Sequence, residues 1–225
     1  DCDRLCLRGK MELTKALLEN LMLAPRTCGV TVLARHSERY PILSDEEVFT
    51  VGLTENGVAM AETLGVELRG RYRARRLGSS PVGRCVDTVA AVGRGAGWQG
   101  HILTEDVLSH PFQGEAWDQR HSYSPGEAMP EAVFALVDFL LGESGPGLGE
   151  MDFFCTHDTV LGTLLEYCAG QWIEFPENWP NFLEGVVLWR DGGDFCMAWR
   201  GEIYSLQKAL RLNGELERLK GCPAD

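Results

Sequence analysis

The sequence has no long apolar run, no paired-cysteine motif and few cations, and each of these lacks removes a class of function. Its longest apolar stretch, Ala132 to Leu141, is interrupted by Asp138 and falls far short of the roughly 20 residues a membrane-spanning helix requires. The eight cysteines, at positions 2, 6, 28, 85, 155, 168, 196 and 222, include no Cys-x-x-Cys pair and no histidine at ligand spacing, which argues against zinc or any other bound metal. Lysine and arginine total 21 against 33 aspartates and glutamates, for a net charge of −12. Neither nucleic acid nor an anionic membrane surface is then an expected partner. No segment repeats, and the Gly-rich stretch Gly142 to Gly149 lacks the Lys-Ser/Thr pair of a P-loop.

What the chain does have is cations placed beside histidines at strand ends. Val30 to Ala34 is a short apolar run rich in β-branched residues, the pattern of a central strand covered on both faces. It leads directly into Arg35-His36-Ser37-Glu38-Arg39-Tyr40-Pro41. Ligands of open α/β sheets gather at the carboxyl ends of such strands. Two guanidiniums there suit phosphate oxygens and, by repulsion, keep a neighbouring imidazole neutral and nucleophilic. Alone, Arg-His is as well explained as an exposed dipeptide in a turn. Further along, Leu77 to Ala90 reads as a strand end, a Ser-Ser-Pro turn and a helix with Arg84 in its first turn, and Met151 to Thr156 reads as a second buried strand followed by His157-Asp158 and a helix from Val160 to Cys168.

These pieces together resemble the histidine phosphatase superfamily, and within it the histidine acid phosphatase branch. Arg35-His36-Ser37-Glu38-Arg39-Tyr40-Pro41 is similar to that branch's Arg-His-Gly-x-Arg-x-Pro signature, and His157-Asp158 to its His-Asp pair. Leu53-Thr54-Glu55-Asn56-Gly57 resembles the helix that follows the signature, and Ser79-Ser80-Pro81 with Arg84, Cys85 and Thr88 resembles the second-arginine motif. The resemblance implies that His36 attacks phosphorus to give a phosphohistidine. Arg35, Arg39, Arg84 and His157 bind the phosphoryl oxygens, and Asp158 protonates the leaving alcohol; no cofactor is implied, and the partner is a small phosphorylated substrate. Two departures stand out. Ser37 replaces the family's Gly, so its hydroxyl either crowds the phosphate or donates to it. The large helical insertion of acid phosphatases and phytases is missing, which leaves a minimal cap around residues 105–130 and an open pocket.

Two alternatives remain. In the phosphoglycerate mutase-like branch the acid is a Glu in a Gly- and Trp-containing loop, and Glu115 in Pro111 to Trp117 is the rival of Asp158. Asp158 would then be a helix N-cap. The other alternative is a phospho-ligand binding protein that lost turnover through Ser37. His101, His110 and His121 are given no catalytic role.

The expected fold is a phosphoglycerate mutase-like α/β/α three-layer sandwich with a mixed, mostly parallel sheet, formed by residues 1–225 as one domain. Helices are expected over Met11 to Leu23, Glu127 to Leu141 and Ser205 to Lys220, and strands over Glu184 to Arg190 and Phe195 to Arg200, joined by the hairpin signal Asp191-Gly192-Gly193-Asp194. The run Arg69 to Arg76 is expected to close the helix that begins near Leu53, and Gly93 to Gly97 to cap the helix before it. Cys85, Cys155, Cys168 and Cys196 read as small buried hydrophobes, favouring a reducing cytoplasmic location. The even cysteine count and a start at Asp1 fit a secreted or periplasmic one.

Overall fold

The computed structural model describes residues 14–109, 131–142 and 144–207. Within them, two largely buried strands lie at the centre of the sheet. β1 (Val30–Arg35) is buried at every position and β4 (Glu150–Thr156) at all but its first, as expected for parallel strands covered on both faces. The seven-stranded sheet has the order β3-β2-β4-β1-β5-β6-β7. β2 (Arg73–Ser79) and β3 (Ile102–Thr104) extend the parallel half, while β5 (Gly185–Asp191), β6 (Asp194–Trp199) and β7 (Glu202–Ser205) form the antiparallel edge.

Alternate side chains of these strands serve two cores, which makes the three layers. Val32, Ala34, Phe153 and Cys155 pack under α1 (residues 14–23), α2 (Glu55–Leu68) and α3 (Gly83–Ala96). Leu33 and Phe154 face α4 (Glu131–Leu141) and α5 (Asp158–Ala169) on the other side. α2 and α3 cross closely because a Cβ on Gly95 would lie 2.0 Å from the Glu62 carbonyl oxygen.

The structure corrects four expectations about elements. Gly93 and Gly95 are interior to α3, and only Gly97, at φ 72°, forms the left-handed C-cap. The basic run does not simply close α2, whose C-cap is Arg69. Its second half is β2, and Arg75 and Arg76 both pair with Asp152, a fully buried carboxylate on β4. An unpaired charge there would be far costlier than a surface one. Residues 202–205 form an edge strand just where a helix was expected to begin at Ser205; the chain turns helical only at Gln207, and residues 208–220 of that helix lie outside the described residues, as do residues 110–130 of the expected cap. Cys85, Cys155 and Cys168 are buried free thiols, whereas Cys196 is half-buried.

Candidate active site

Parallel pairing of β1 with β4 is in register from Val30↔Met151 to Arg35↔Thr156. It therefore sets His36 and His157 side by side, one residue past each strand end. The His36 N–H donates to the Thr156 carbonyl at 2.9 Å, and the two rings meet edge to face at 5.7 Å between centroids. β2 pairs on the far side of β4, and the Ser80 N–H donates to Cys155 at 2.9 Å. That turn then starts α3 and delivers Arg84. Asp158 opens α5.

His36 is 2% exposed. Its Nδ1 lies 2.8 Å from the Ser37 carbonyl oxygen, which can only accept, so the ring proton is assigned to Nδ1 and the lone pair to Nε2. Burial first, and then the charges of Arg84 and Arg35 and the neighbouring His157, bring its pKa down to about 3 against the opposing pull of that carbonyl. The imidazole is thus neutral, with a free-base nitrogen, across the acidic and neutral range.

Arg35 and Arg84 are both buried. Arg35 Nη1 donates to the Pro180 carbonyl at 2.6 Å, and its Nη2 pairs with Asp158 Oδ2 at 2.6 Å. Arg84 Nη1 donates to the Val48 carbonyl at 2.5 Å and its Nη2 to His157 Nδ1 at 3.2 Å. That contact makes His157 Nδ1 an acceptor and Nε2 the donor, to Ser80 Oγ at 3.0 Å. The Nε atoms of both arginines are buried and have no hydrogen-bond partner among the described residues. Each such donor costs about 1–3 kcal/mol unless an acceptor meets it, and an oxyanion supplies acceptors. Arg39 is half-buried and holds the Tyr40 carbonyl at 2.9 Å; its charge reaches both Arg35 and Arg84 and lowers their pKa values, after burial in each case.

Asp158 is the first residue of α5, with His157 as the N-cap, so it is not the cap expected on the structural reading. Burial pushes its pKa up, but the charge of Arg35, a hydrogen bond from Trp179 and one from the Thr159 N–H outweigh that and hold it below its ordinary value. Glu115, the rival acid, lies outside the described residues.

Ser37, expected either to crowd a phosphate or to donate to one, is bonded to the protein through both of its donors. Its N–H donates to Thr88 Oγ1 at 3.0 Å and its hydroxyl to the Gly57 carbonyl at 2.7 Å. Both donors are spent inside the protein. Gly57 itself is required, since a Cβ there would sit 2.0 Å from the Glu38 carbonyl oxygen. Replacing Ser37 by Gly should cost about 1–2 kcal/mol, from one lost hydrogen bond and a looser backbone, and so lower Tm by roughly 2–8 °C. Turnover should stay within threefold of wild type. A tenfold loss of kcat in Ser37→Gly would restore a direct role for the hydroxyl.

Several contributors had no visible role in the sequence. Glu38 accepts from Thr54 Oγ1 at 2.6 Å and Asn56 Nδ2 at 2.9 Å, fixing the start of α2 against the signature loop. Phe182 lies 4.4 Å from the Arg35 guanidinium and 5.8 Å from the His36 ring. The Ser-Ser-Pro motif was the one signal that could have found Ser80; nothing local marks Trp179, Pro180 or Phe182. Clefts of about 230 and 720 Å³ open at the opposite, amino-terminal ends of β1 and β4, lined by Gly29, Gly147 and Arg190 and by Met22, Arg71 and Tyr72. None of the groups above lines them.

Residues 31–188 match the family model described as the histidine phosphatase superfamily (branch 1). The chain belongs to the histidine phosphatase superfamily. Among solved structures, this member resembles YhfR of Bacillus stearothermophilus, at 20% identity over 77% of this chain and 97% of that one, with a TM-score of 0.54. It is also similar to the protein histidine phosphatase SixA, solved with tungstate, at 17% identity over 79% of this chain and 97% of that one, with a TM-score of 0.50. At these identities the likeness is one of fold. No curated protein sequence matches the chain.

The neutral His36 of this histidine phosphatase has a consequence for stability. Its folded pKa of about 3 lies below the ordinary 6.5, so between those values the unfolded chain binds the extra proton. Stability is then complete above about pH 6.5 and is lost as pH falls. Acidification from pH 7 to pH 5 should cost wild type about 2 kcal/mol more than His36→Gln. Thermal unfolding of both proteins at the two pH values checks this, and equal losses would show that His36 is not held neutral. The Asp158 contribution has the same sign but falls below that carboxylate's ordinary 3.8, outside the window.

Proposed function

We propose that this histidine phosphatase is a metal-independent phosphomonoesterase acting on small phosphorylated substrates through a phosphohistidine on His36, with Asp158 as the acid as in the acid phosphatase-like branch, although the family model that matches the chain is that of branch 1. The observation that carries this reading is the contact of His36 Nδ1 with the Ser37 carbonyl, which assigns the proton to Nδ1 and leaves Nε2 as a nucleophile on a ring that feels the charges of Arg35 and Arg84. A ring held neutral by burial and by its cationic neighbours keeps its nucleophilic lone pair under acidic as well as neutral conditions.

In the first step Nε2 attacks phosphorus, and the bond from phosphorus to the ester oxygen breaks. Arg35, Arg39 and Arg84 stabilise the three phosphoryl oxygens, with His157 as the residue that holds Arg84 in place. Asp158 donates its proton to the departing oxygen. A carboxylate paired to Arg35 has no proton to give, so the mechanism requires an exchange of partners. The arriving phosphoryl dianion takes the Arg35 fork, and Asp158 loses its counter-ion, gains an anionic neighbour and rises in pKa until it is protonated. In the second step the Asp158 carboxylate takes a proton from water as the oxygen attacks phosphorus, and the bond to Nε2 breaks. His36 is restored and inorganic phosphate leaves.

The Arg35–Asp158 pair also favours a second reading, in which Asp158 serves only to aim Arg35 and Glu115 is the acid of a mutase-like phosphatase or phosphomutase. The first experiment is release of p-nitrophenol from p-nitrophenyl phosphate in the presence of EDTA. Binding of phosphate without release would instead support a non-catalytic phospho-ligand protein.

A further inference from the structure

Residues 170–184 connect α5 to β5 without regular secondary structure, yet they supply several of the contacts that aim the site. The Arg35 guanidinium is held by the Pro180 carbonyl at 2.6 Å and covered by Phe182 at 4.4 Å. Asp158 accepts from Trp179. The backbone N–H of Arg35 donates to the Glu184 carbonyl at 2.8 Å, and that of Leu183 to the His36 carbonyl at 3.4 Å. An irregular segment can hold such contacts to a fraction of an ångström only if something else fixes it.

Buried Ile173 and Leu183 anchor the two ends of the segment, and one ion pair ties the stretch that reaches the site. The Glu184 carboxylate is 3% exposed and receives the Arg200 fork, Nε to Oε1 at 2.7 Å and Nη2 to Oε2 at 2.9 Å. Its Oε2 also accepts the Asn181 N–H at 2.8 Å. The remaining Arg200 donors reach the carbonyls of Asn178 at 3.0 Å and Trp179 at 3.2 Å. A single guanidinium thus ties residues 178, 179 and 184 directly and residue 181 through Glu184. The only non-glycine residues with positive φ among the described residues are Leu183 at 59° and Arg200 at 45°, both on this assembly. Such backbone persists only where its surroundings over-determine it.

We propose that the Glu184–Arg200 clasp is the positioning element of the active site: it fixes residues 178–184 so that Pro180, Phe182 and Trp179 hold Arg35 and Asp158 in their working geometry. The described contacts of Arg200 are with this loop and with the ring of Trp199, 4.8 Å away; it acts on the chemistry only through other residues. The inference rests on the phosphomonoesterase reading above for its kinetic consequences, but not for its binding consequences.

Arg200→Ala and Arg200→Lys should be compared with wild type and with Arg94→Ala, which breaks an exposed pair with Glu62 away from the site. Misplacement of catalytic groups by about 1 Å typically costs as much as 10²-fold in rate, so Arg200→Ala should lower kcat by roughly 10–100-fold. The loss should be larger for an alkyl phosphate than for p-nitrophenyl phosphate, because Asp158 is among the displaced groups. Affinity for inorganic phosphate, measured by calorimetry, should weaken by about 3–10-fold as Arg35 loses its aim. Lys should recover little, since an ammonium cannot replace a fork, and Arg94→Ala should match wild type. If wild type turns over nothing, the phosphomonoesterase reading fails while the phosphate affinities still test the clasp. If Arg200→Ala unfolds, Glu184→Gln, which keeps an acceptor for Asn181 but removes the charge of the clasp, carries the test, with a kcat loss again larger for the alkyl ester. Unchanged kcat and phosphate affinity in folded Arg200→Ala, or an unchanged kcat and leaving-group ratio in Glu184→Gln, would overturn the proposal.

Discussion

His36→Ala should bind inorganic phosphate with an affinity near that of wild type and should release no product, with kcat lower by roughly 10⁵-fold or more, as for loss of a catalytic nucleophile elsewhere. The separation of binding from turnover follows from geometry. The guanidiniums of Arg35 and Arg84 are held by the Pro180 and Val48 carbonyls, by Asp158 and by His157, none of which depends on the His36 ring. Quenching wild type during turnover in alkaline detergent should trap phosphate on protein in an acid-labile, base-stable form, and the variant should trap none. A stoichiometric acid-stable phosphoprotein would place the nucleophile on an oxygen and remove His36 from that role.

Asp158→Asn should cost about 10²–10⁴ in kcat, with the loss set by the leaving group. An alkyl phosphate, whose alkoxide must be protonated as it departs, should suffer most, and p-nitrophenyl phosphate least. Stability should fall as well, because the buried Arg35 loses its counter-ion while keeping a neutral acceptor. Rates are therefore to be compared well below the Tm of the variant. Loss of Arg35 alignment alone would slow both esters alike, so the ratio between esters, not the absolute rate, reports general-acid catalysis. Glu115→Gln measured in parallel is the decisive comparison. If its loss follows the leaving group and that of Asp158→Asn does not, Asp158 only aims Arg35, and the acid phosphatase-like assignment gives way to the mutase-like one.

The parts of this site legible in the sequence are those encoded locally. Apolar runs of β-branched and aromatic residues marked β1 and β4 because burial on both faces demands them. The chemistry-bearing residues followed each run at once, so His36, Arg84, His157 and Asp158 could be placed at strand and helix ends. Local reading failed where a partner lies far along the chain. Arg75 and Arg76 look like helix-terminal cations until Asp152 is placed beside them, 77 and 76 positions away. The interior glycines of α3 look like a cap until the backbone of α2 passes at Gly95. Ser37 reads as a residue that crowds or contacts substrate until its hydroxyl is seen to donate to the Gly57 carbonyl.

By itself, then, the order of residues determined the fold class, the superfamily and which imidazoles and guanidiniums stand at the strand ends, since periodicity and motif spacing act over a few residues at a time. Only the tertiary structure decided that Nδ1 of His36 faces the Ser37 carbonyl, that Asp158 is paired with Arg35, and that the Ser37 hydroxyl is bonded to the Gly57 carbonyl. It also decided that Arg35 is aimed by Pro180, 145 positions away, from a loop tied down by Glu184 and Arg200. A protonation state or a hydrogen bond depends on the few ångströms around an atom, and in this chain those ångströms are filled by segments that pairing across the sheet brings together.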